Sequence, residues 1–166
     1  NRPEQSPPPN PKPGDIWLQC AENDPKTIWE TWYRNSTRWH SAFYYWNVSY
    51  TGSTAFNEWF ICQPVVENWD LYIENWAVHS LMTSAVTSTN RWNFTLSAIN
   101  SNNASTTIGT LTNLNAAANQ WDRKSLWRPG YRSFSTDKLL RLSCTPGGTV
   151  QSISFSSVIC YQLARL

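Results

Sequence analysis

Apolar and polar side chains alternate along much of the chain, and a period of two predicts β-strands. The clearest case is residues 92–99, where Trp92, Phe94, Leu96 and Ala98 share one face. Aromatic and β-branched residues dominate the other strand-like segments, which cover residues 28–33, 42–50, 59–62, 71–73, 106–114, 139–144, 150–155 and 158–161. Turn residues separate these segments, so the pattern predicts many short strands.

Three further segments connect or extend the strands. Residues 76–82 fit either a strand or one to two helical turns, and residues 115–120 are the best helical turn. Pro146-Gly147-Gly148 predicts a hairpin that joins the strands on either side. The whole pattern predicts an all-β fold with little helix, either a single-domain β-sandwich or a small β-barrel, over residues 14–166.

The first 13 residues differ in composition from the rest. They hold six of the ten prolines, which lack amide donors and favour polyproline II. We therefore expect residues 1–13 to form an extended N-terminal arm.

Composition excludes several classes of protein. Charged residues make up 14% of the chain and aromatic residues another 14%, including 11 Trp. Short polar residues are abundant, with 19 Ser, 16 Thr and 16 Asn. So many aromatic rings argue against a disordered chain, and the sequence lacks both a long apolar run and the Ala/Glu/Lys/Leu richness of helical bundles.

Four Asn-x-Ser/Thr sequons indicate a secretory protein. They begin at Asn35, Asn47, Asn93 and Asn103, and none has proline in its middle position. An even cysteine count agrees with this interpretation. The chain opens on Asn1-Arg2-Pro3 and not on a basic and then apolar segment, so we expect a mature protein whose leader has been removed.

The four cysteines predict two disulfides. Cys20, Cys62, Cys144 and Cys160 lack zinc-finger spacing and contain no CxxC pair. We favour Cys20–Cys62 with Cys144–Cys160, because each pair closes a short loop around one strand-rich lobe. The rival is the nested arrangement, Cys20–Cys160 with Cys62–Cys144. Each bridge is expected to contribute roughly 2–4 kcal/mol of stability.

Charge is unevenly distributed, and the basic half suggests a binding surface. Residues 1–82 have a net charge of −4 and residues 83–166 one of +6. A loop broken by Pro129-Gly130 interleaves bases with aromatic rings, which suits an acidic partner or an anionic glycan. Its candidate binding residues are Trp121, Arg123, Lys124, Trp127, Arg128, Tyr131 and Arg132. The competing interpretation is that these bases pair with the acidic half or pack on Trp as internal struts.

A second aromatic series lies nearer the N-terminus. It comprises Trp29, Trp32, Trp39, Tyr44, Trp46 and Tyr50. Such rings, beside Asn, Ser and Thr, could form a carbohydrate-binding surface. They could equally fill the core of a chain that is poor in Leu, Ile and Met, and we expect core packing to explain most of them.

Evidence for catalysis is sparse. His40 and His79 with Glu58 could act as a general acid and base, and Glu58 could pair with Glu67, Asp70 or Glu74 as in a small jelly-roll glycan hydrolase. No hydrolase, nucleotide-binding or zinc-protease signature is present. We expect no cofactor and no metal.

Two resemblances extend the range of functions. Gly14-Asp15-Ile16-Trp17 and Thr136-Asp137-Lys138-Leu139-Leu140-Arg141 resemble the lipocalin motifs. That likeness implies a barrel around a small apolar ligand and a Cys62–Cys160 bridge. The proline-rich start, low charge and paired cysteines resemble small secreted fungal proteins, including plant-pathogen effectors, and a viral surface-glycoprotein domain would share several of these traits.

The sequence as a whole predicts a secreted, N-glycosylated, non-enzymatic binding protein. We expect its partner to be an extracellular protein or glycan, with a pathogen effector or toxin as one concrete form. The near-balanced charge disfavours nucleic acid, and we expect a monomer without a membrane span. The alternatives are a lipocalin-like carrier and a jelly-roll glycan hydrolase.

Overall fold

The computed structural model describes residues 6–21, 24–61, 70–100, 102–133, 137–149 and 151–165. Side chains in those ranges are described except at 21, 24–29, 61, 128–133 and 137–138. Eleven strands run through this part of the chain, which contains no helix. They are β1 (Ile16–Ala21), β2 (Asp24–Arg34), β3 (Trp39–His40), β4 (Tyr44–Gly52), β5 (Phe56–Ile61), β6 (Asp70–Met82), β7 (Asn90–Asn100), β8 (Ser105–Thr112), β9 (Asp122–Ser133), β10 (Asp137–Gly148) and β11 (Ile153–Arg165).

Two antiparallel sheets form a sandwich. The first sheet contains β4-β11-β6-β9 in spatial order, and the second contains β5-β10-β7-β8. The chain crosses repeatedly between the sheets, and this order for eight strands is that of a jelly roll. The all-β sandwich is thus confirmed. The single closed barrel implied by the lipocalin resemblance does not match two separate sheets.

Strands β1 to β3 extend the first sheet beyond the jelly roll. β1 pairs with β2, β2 with β3, and β3 with the last residues of β11. One edge of β11 therefore serves two partners: residues 153–161 pair with β4, and residues 164–165 pair with β3. Buried Ser41 joins the two sections, since its N–H donates to the Leu163 carbonyl and its Oγ accepts the Leu163 N–H, each at 2.9 Å.

The interior holds two hydrophobic clusters. The larger lies between the sheets and includes Trp76, Phe94, Leu140 and Ile159, each fully buried. The smaller is a tryptophan cluster on the N-terminal extension, formed by Trp17, Trp32 and Trp39. Leu163 packs against both clusters.

Core packing explains the aromatic series in the first half of the chain. Trp32 and Trp39 belong to the small cluster, while Trp46 and Tyr50 pack against the large one. Tyr44 stacks on Tyr161, with ring centroids 5.6 Å apart. The Trp29 side chain lies outside the description. The interpretation of this series as an exposed carbohydrate platform is therefore wrong for the residues described.

Two local predictions are wrong, and the structure decides the open choice at residues 76–82 in favour of a strand. The hairpin at 146–148 is wrong because β10 extends to Gly148 in the second sheet and the chain then crosses to β11 in the first. The helical turn at 115–120 is instead a series of turns in which Asn115 and Asn119 have positive φ. Residues 71–73 and 76–82 form one strand, β6, whose register shifts by one residue at Glu74.

The predicted disulfides are absent among the cysteines described. Cys20, Cys144 and Cys160 are free thiols, and Cys62 lies outside the described residues. Cys144 is wholly buried in the core on β10, whereas Cys160 lies on the outer face of the other sheet beside Tyr45. A whole sheet separates the two thiols, so the favoured Cys144–Cys160 pair is wrong.

We predict that Ser157→Ala destabilises the fold. Fully buried Ser157 accepts a hydrogen bond from Trp76 Nε1 at 3.0 Å, and the substitution leaves that indole N–H buried without its acceptor. The free energy of unfolding, measured by denaturant titration, should fall by about 1–3 kcal/mol. Ser156→Ala on the outer face of the same strand is the control and should stay within about 0.5 kcal/mol of wild type. Equal effects of both substitutions would contradict the assignment.

We also predict that Cys144 is inert in the native protein. Burial raises the pKa of its thiol to about 12, so almost no thiolate exists near pH 8. Mass spectrometry after alkylation should find Cys144 modified only in denaturant, with free Cys160 modified faster. Recovery of Cys144 in a disulfide-linked peptide would contradict this prediction.

Candidate functional site

The outer face of the first sheet carries most of the large exposed aromatic side chains. Tyr33, Phe43, Tyr45 and Trp127 are 48%, 50%, 62% and 63% exposed. Strand register places Tyr45 beside Cys160, Cys160 beside Asn75, and Asn75 beside Trp127, so one row crosses four strands. Three strand spacings separate the two rings of this row, roughly 14 Å at the backbone. We call the surface defined by the four exposed rings the aromatic face.

A shallow groove of about 430 Å³ lies on this face where the N-terminal extension meets the jelly roll. Its lining mixes aromatic, amide and charged groups, contributed by Tyr33, Arg34, Asn35, His40, Phe43, Tyr72, Glu74 and Gln162. Small-molecule sites are typically of this size, with apolar rings and a few polar groups that fix orientation. The register explains the convergence, because Tyr33 lies opposite His40 and Tyr72 lies opposite Gln162.

One wall of the groove is a turn held by Asn35. Its Oδ1 accepts the backbone N–H groups of Thr37 at 2.9 Å and Arg38 at 2.7 Å, as in an Asx-turn. Its Nδ2 lies 2.7 Å from Nε2 of His40. The Arg38 guanidinium bonds Asp70 on β6, which ties the turn to the sheet.

His40 is the most enclosed ionisable group of the groove, with 8% of its surface exposed. Burial lowers the pKa of its imidazole, the positive charge of Arg38 lowers it further, and a hydrogen bond to Gln162 opposes both effects. His40 also meets the Tyr72 ring edge to face at 5.9 Å. The neutral imidazole is therefore the form that the groove favours near pH 7.

Between Tyr45 and Trp127 the sheet surface is formed by small or polar side chains. The next cross-strand row consists of Asn47, Val158, Ala77 and Ser125. Tyr45 lies beside Cys160 in the strand register, and the nearby thiol raises the pKa of Tyr45. The Tyr45 and Trp127 rings, at the two ends of the row, therefore project above smaller side chains.

The basic and aromatic segment predicted as a binding loop is an edge strand, β9. Strand alternation divides its residues between two faces: Trp127 is exposed on the outer face, while Leu126 packs into the core. Lys124 forms an ion pair with Asp122 at 3.2 Å. Trp121 is exposed just before the strand, and Arg123 is exposed on it. The side chains of Arg128, Tyr131 and Arg132 lie outside the description.

Several arginines elsewhere pack on tryptophan rings. Arg141 lies 5.4 Å from the Trp59 ring, Arg34 lies 5.9 Å from Trp39, and Arg165 lies 5.6 Å from Trp17. These three arginines cover indole faces and contribute cation–π contacts, and none of them belongs to the candidate binding set. Within that set, Trp121 and Trp127 are exposed rings.

Glu58 is not brought together with the other candidate catalytic groups, although His40 and Glu74 both line the groove. Glu58 is exposed on β5 of the second sheet, whereas Asp70 and Glu74 are on β6 of the first. His79 follows Asp70 by nine positions on β6, roughly 30 Å along the strand, while His40 is in the same row as Asp70. Glu67 lies outside the described residues. No three His, Cys, Asp or Glu side chains cluster as a metal site in the described part of the chain.

The four sequons occupy different environments. Asn47 is exposed on β4 two positions from Tyr45, and Asn103 is exposed in a turn with a φ of 59°. Asn93 is half-buried on β7. Asn35 has both ends of its amide engaged in the groove wall.

The sequence analysis missed Tyr33, Phe43, Tyr45, Tyr72 and Gln162 as site residues. Phe43 lies between β3 and β4, and the others come from β2, β4, β6 and β11, which are distant in sequence and meet only in the folded sheet. Alternation could have separated Tyr45 from Tyr44 and Trp46, since neighbours in a strand face opposite ways.

No helix in the described residues is long and apolar enough to cross a membrane.

No protein-family model and no curated protein matches this sequence significantly. Among solved structures, similar chains include the VP2 subviral particle of infectious bursal disease virus, at 12% identity and a TM-score of 0.41. That alignment covers 90% of this chain and 37% of the viral one, so this chain spans a little over a third of its length. The Gx strain of the same virus matches at 12% identity and a TM-score of 0.37, covering 87% of this chain and 36% of the other.

A family 11 carbohydrate-binding module from Clostridium thermocellum, in complex with a β-1,3-1,4-mixed-linked tetrasaccharide, is also similar. Its identity is 10% and its TM-score 0.32, with 69% of this chain and 87% of the module covered. These likenesses are distant.

Proposed function

We propose that this domain is a secreted, non-enzymatic binding module that recognises an extracellular glycan through its aromatic face. The observation that carries the proposal is the set of four exposed rings on one sheet face, two of which, Tyr33 and Phe43, line the polar groove. Secretion is proposed from the four sequons, and an effector acting on a host surface is one setting in which such a module would work.

The chemistry of the face favours a sugar over other ligands. An aromatic ring offers an apolar plane to the C–H face of a sugar, while amides and hydroxyls nearby bond its hydroxyl groups. Exposed Phe43 and Tyr33 border the groove, and Asn35, Gln162 and Tyr72 supply its polar groups. The row from Tyr45 to Trp127 continues the surface across the sheet, which suits an oligosaccharide more than a single sugar.

The architecture gives less support to the alternatives. A carrier of an apolar ligand needs an enclosed apolar cavity, whereas Trp76, Phe94 and Ile159 fill the space between the sheets. A glycan hydrolase needs two carboxyl groups that flank the scissile bond, and Glu58 lies in a different sheet from Asp70 and Glu74.

We predict that Trp127→Ala and Phe43→Ala each weaken glycan binding about tenfold or more, equivalent to ~1.4 kcal/mol. Both rings are exposed, so neither substitution opens a cavity and the thermal midpoint should change little. Binding would first be located on a glycan array and then measured by titration calorimetry with the glycan found.

Trp59→Ala is the matched control. Trp59 is 48% exposed but lies in the second sheet, away from the groove. Its removal should leave glycan affinity unchanged. The proposal fails if Trp59→Ala weakens binding as much as Trp127→Ala does, or if the domain binds a deglycosylated protein surface and no glycan.

A further inference from the structure

The orientation of Asn35 is fixed by the backbone. Its Oδ1 accepts two N–H groups, from Thr37 and Arg38, so this end of the amide must be the oxygen. The other end, Nδ2, is then the donor that lies 2.7 Å from His40 Nε2. A donor at that distance needs a lone pair, so Nε2 of His40 carries no proton.

The contact with Asn35 also fixes the tautomer of His40. Since Nε2 carries no proton, the neutral imidazole carries its proton on Nδ1. Gln162 lines the same groove, and its Nε2 donates to the Ser41 carbonyl at 2.8 Å, which anchors its side chain.

A second proton on His40 would break the hydrogen bond with Asn35. The imidazolium would present an N–H at Nε2 against the Asn35 amide, so two donors would face each other at 2.7 Å. The turn could escape only by rotating Asn35, which would release the N–H groups of Thr37 and Arg38. Arg38 adds a like charge nearby, while its carboxylate partner Asp70 is already engaged.

Several other charged or titratable groups surround His40. β2 contributes Tyr33 and Arg34, β6 contributes Asp70, Tyr72 and Glu74, the turn contributes Arg38, and β11 contributes the uncharged Gln162. None of them can bond Nε2 of a protonated His40, because Asn35 occupies that position.

We propose that His40 makes the groove acid-sensitive: protonation of its imidazole opens the Asn35–Arg38 turn and releases the bound ligand. The site is intact above the ordinary histidine pKa of 6.5, and it is lost as the pH falls through the lower value of the folded state. This proposal deepens the proposed function and rests on it for the ligand, although its structural step can be observed without one.

The first test uses the wild-type protein alone. Nitrogen-15 NMR of the imidazoles should show His40 with Nδ1 protonated and Nε2 bare near pH 7. On acidification to about pH 4.5, below the ordinary histidine pKa, the Asn35 side-chain amide signal should shift together with His40. A His40 protonated on Nε2 near neutrality, or an Asn35 amide that does not respond, would overturn the proposal.

The second test compares variants of the only two histidines in the chain. His40→Gln keeps a side-chain acceptor but does not titrate, and its Asn35 amide should stay unchanged across the same pH range. His79→Gln, on the exposed part of β6, should retain the wild-type transition. If His40→Gln keeps the transition, a carboxylate is responsible and the proposal is wrong.

Glycan-array binding measured near pH 7 and at about pH 4.5 distinguishes the proposed glycan recognition from the proposed acid sensitivity. The array signal of wild type and of His79→Gln should fall at least about tenfold at the lower pH, whereas the signal of His40→Gln should not fall. If the array shows no binding at either pH, the glycan function fails while the NMR result still decides the switch. If wild-type binding is equal at both pH values, the switch fails and glycan recognition stands.

Discussion

The architecture depends on how one strand, β11, shares its hydrogen bonds. β6 covers one edge of β11 along nearly its whole length, while β4 and β3 divide the other edge between them. That division needs a connector that can satisfy the backbone where one partner ends and the next begins, because unpaired buried amides are costly. Ser41 meets this need through its backbone and its hydroxyl, both directed at Leu163.

This junction also explains why the molecule has two cores and a groove. Beyond Ser41 the first sheet extends past the second, so its inner side needs its own cluster, supplied by Trp17, Trp32 and Trp39. On the outer side, the same offset separates β3 from β4 and leaves a depression into which His40, Phe43 and Gln162 converge. The register shift at Glu74 adds to it by disturbing the alternation on β6. The groove therefore results from the division of one edge of β11 between β4 and β3.

Sequence alone could predict the local elements but not their partners. Alternation at Trp92, Phe94, Leu96 and Ala98 gave β7 correctly, because a period of two is a property of a single strand. Pro146-Gly147-Gly148 resembles a tight turn equally well whether the chain returns to the same sheet or crosses to the other, so the hairpin prediction failed. The disulfides failed for the same reason, since loop length does not reveal which face of which sheet a thiol occupies.

The candidate site shows this limit most clearly. Trp127 could be found from composition because it stands in a run of bases and rings, yet Tyr45 is flanked by Tyr44 and Trp46, which both turn inward. The pairing of Tyr45 with Cys160 determines that Tyr45 faces outward while its two neighbours face the core. Asn35 is a further case: its sequon suggests a glycan carrier, while its contacts make it the cap of a turn and the partner of His40. A short motif states which chemistry a side chain is capable of, and the strand register determines which of those capabilities the fold uses.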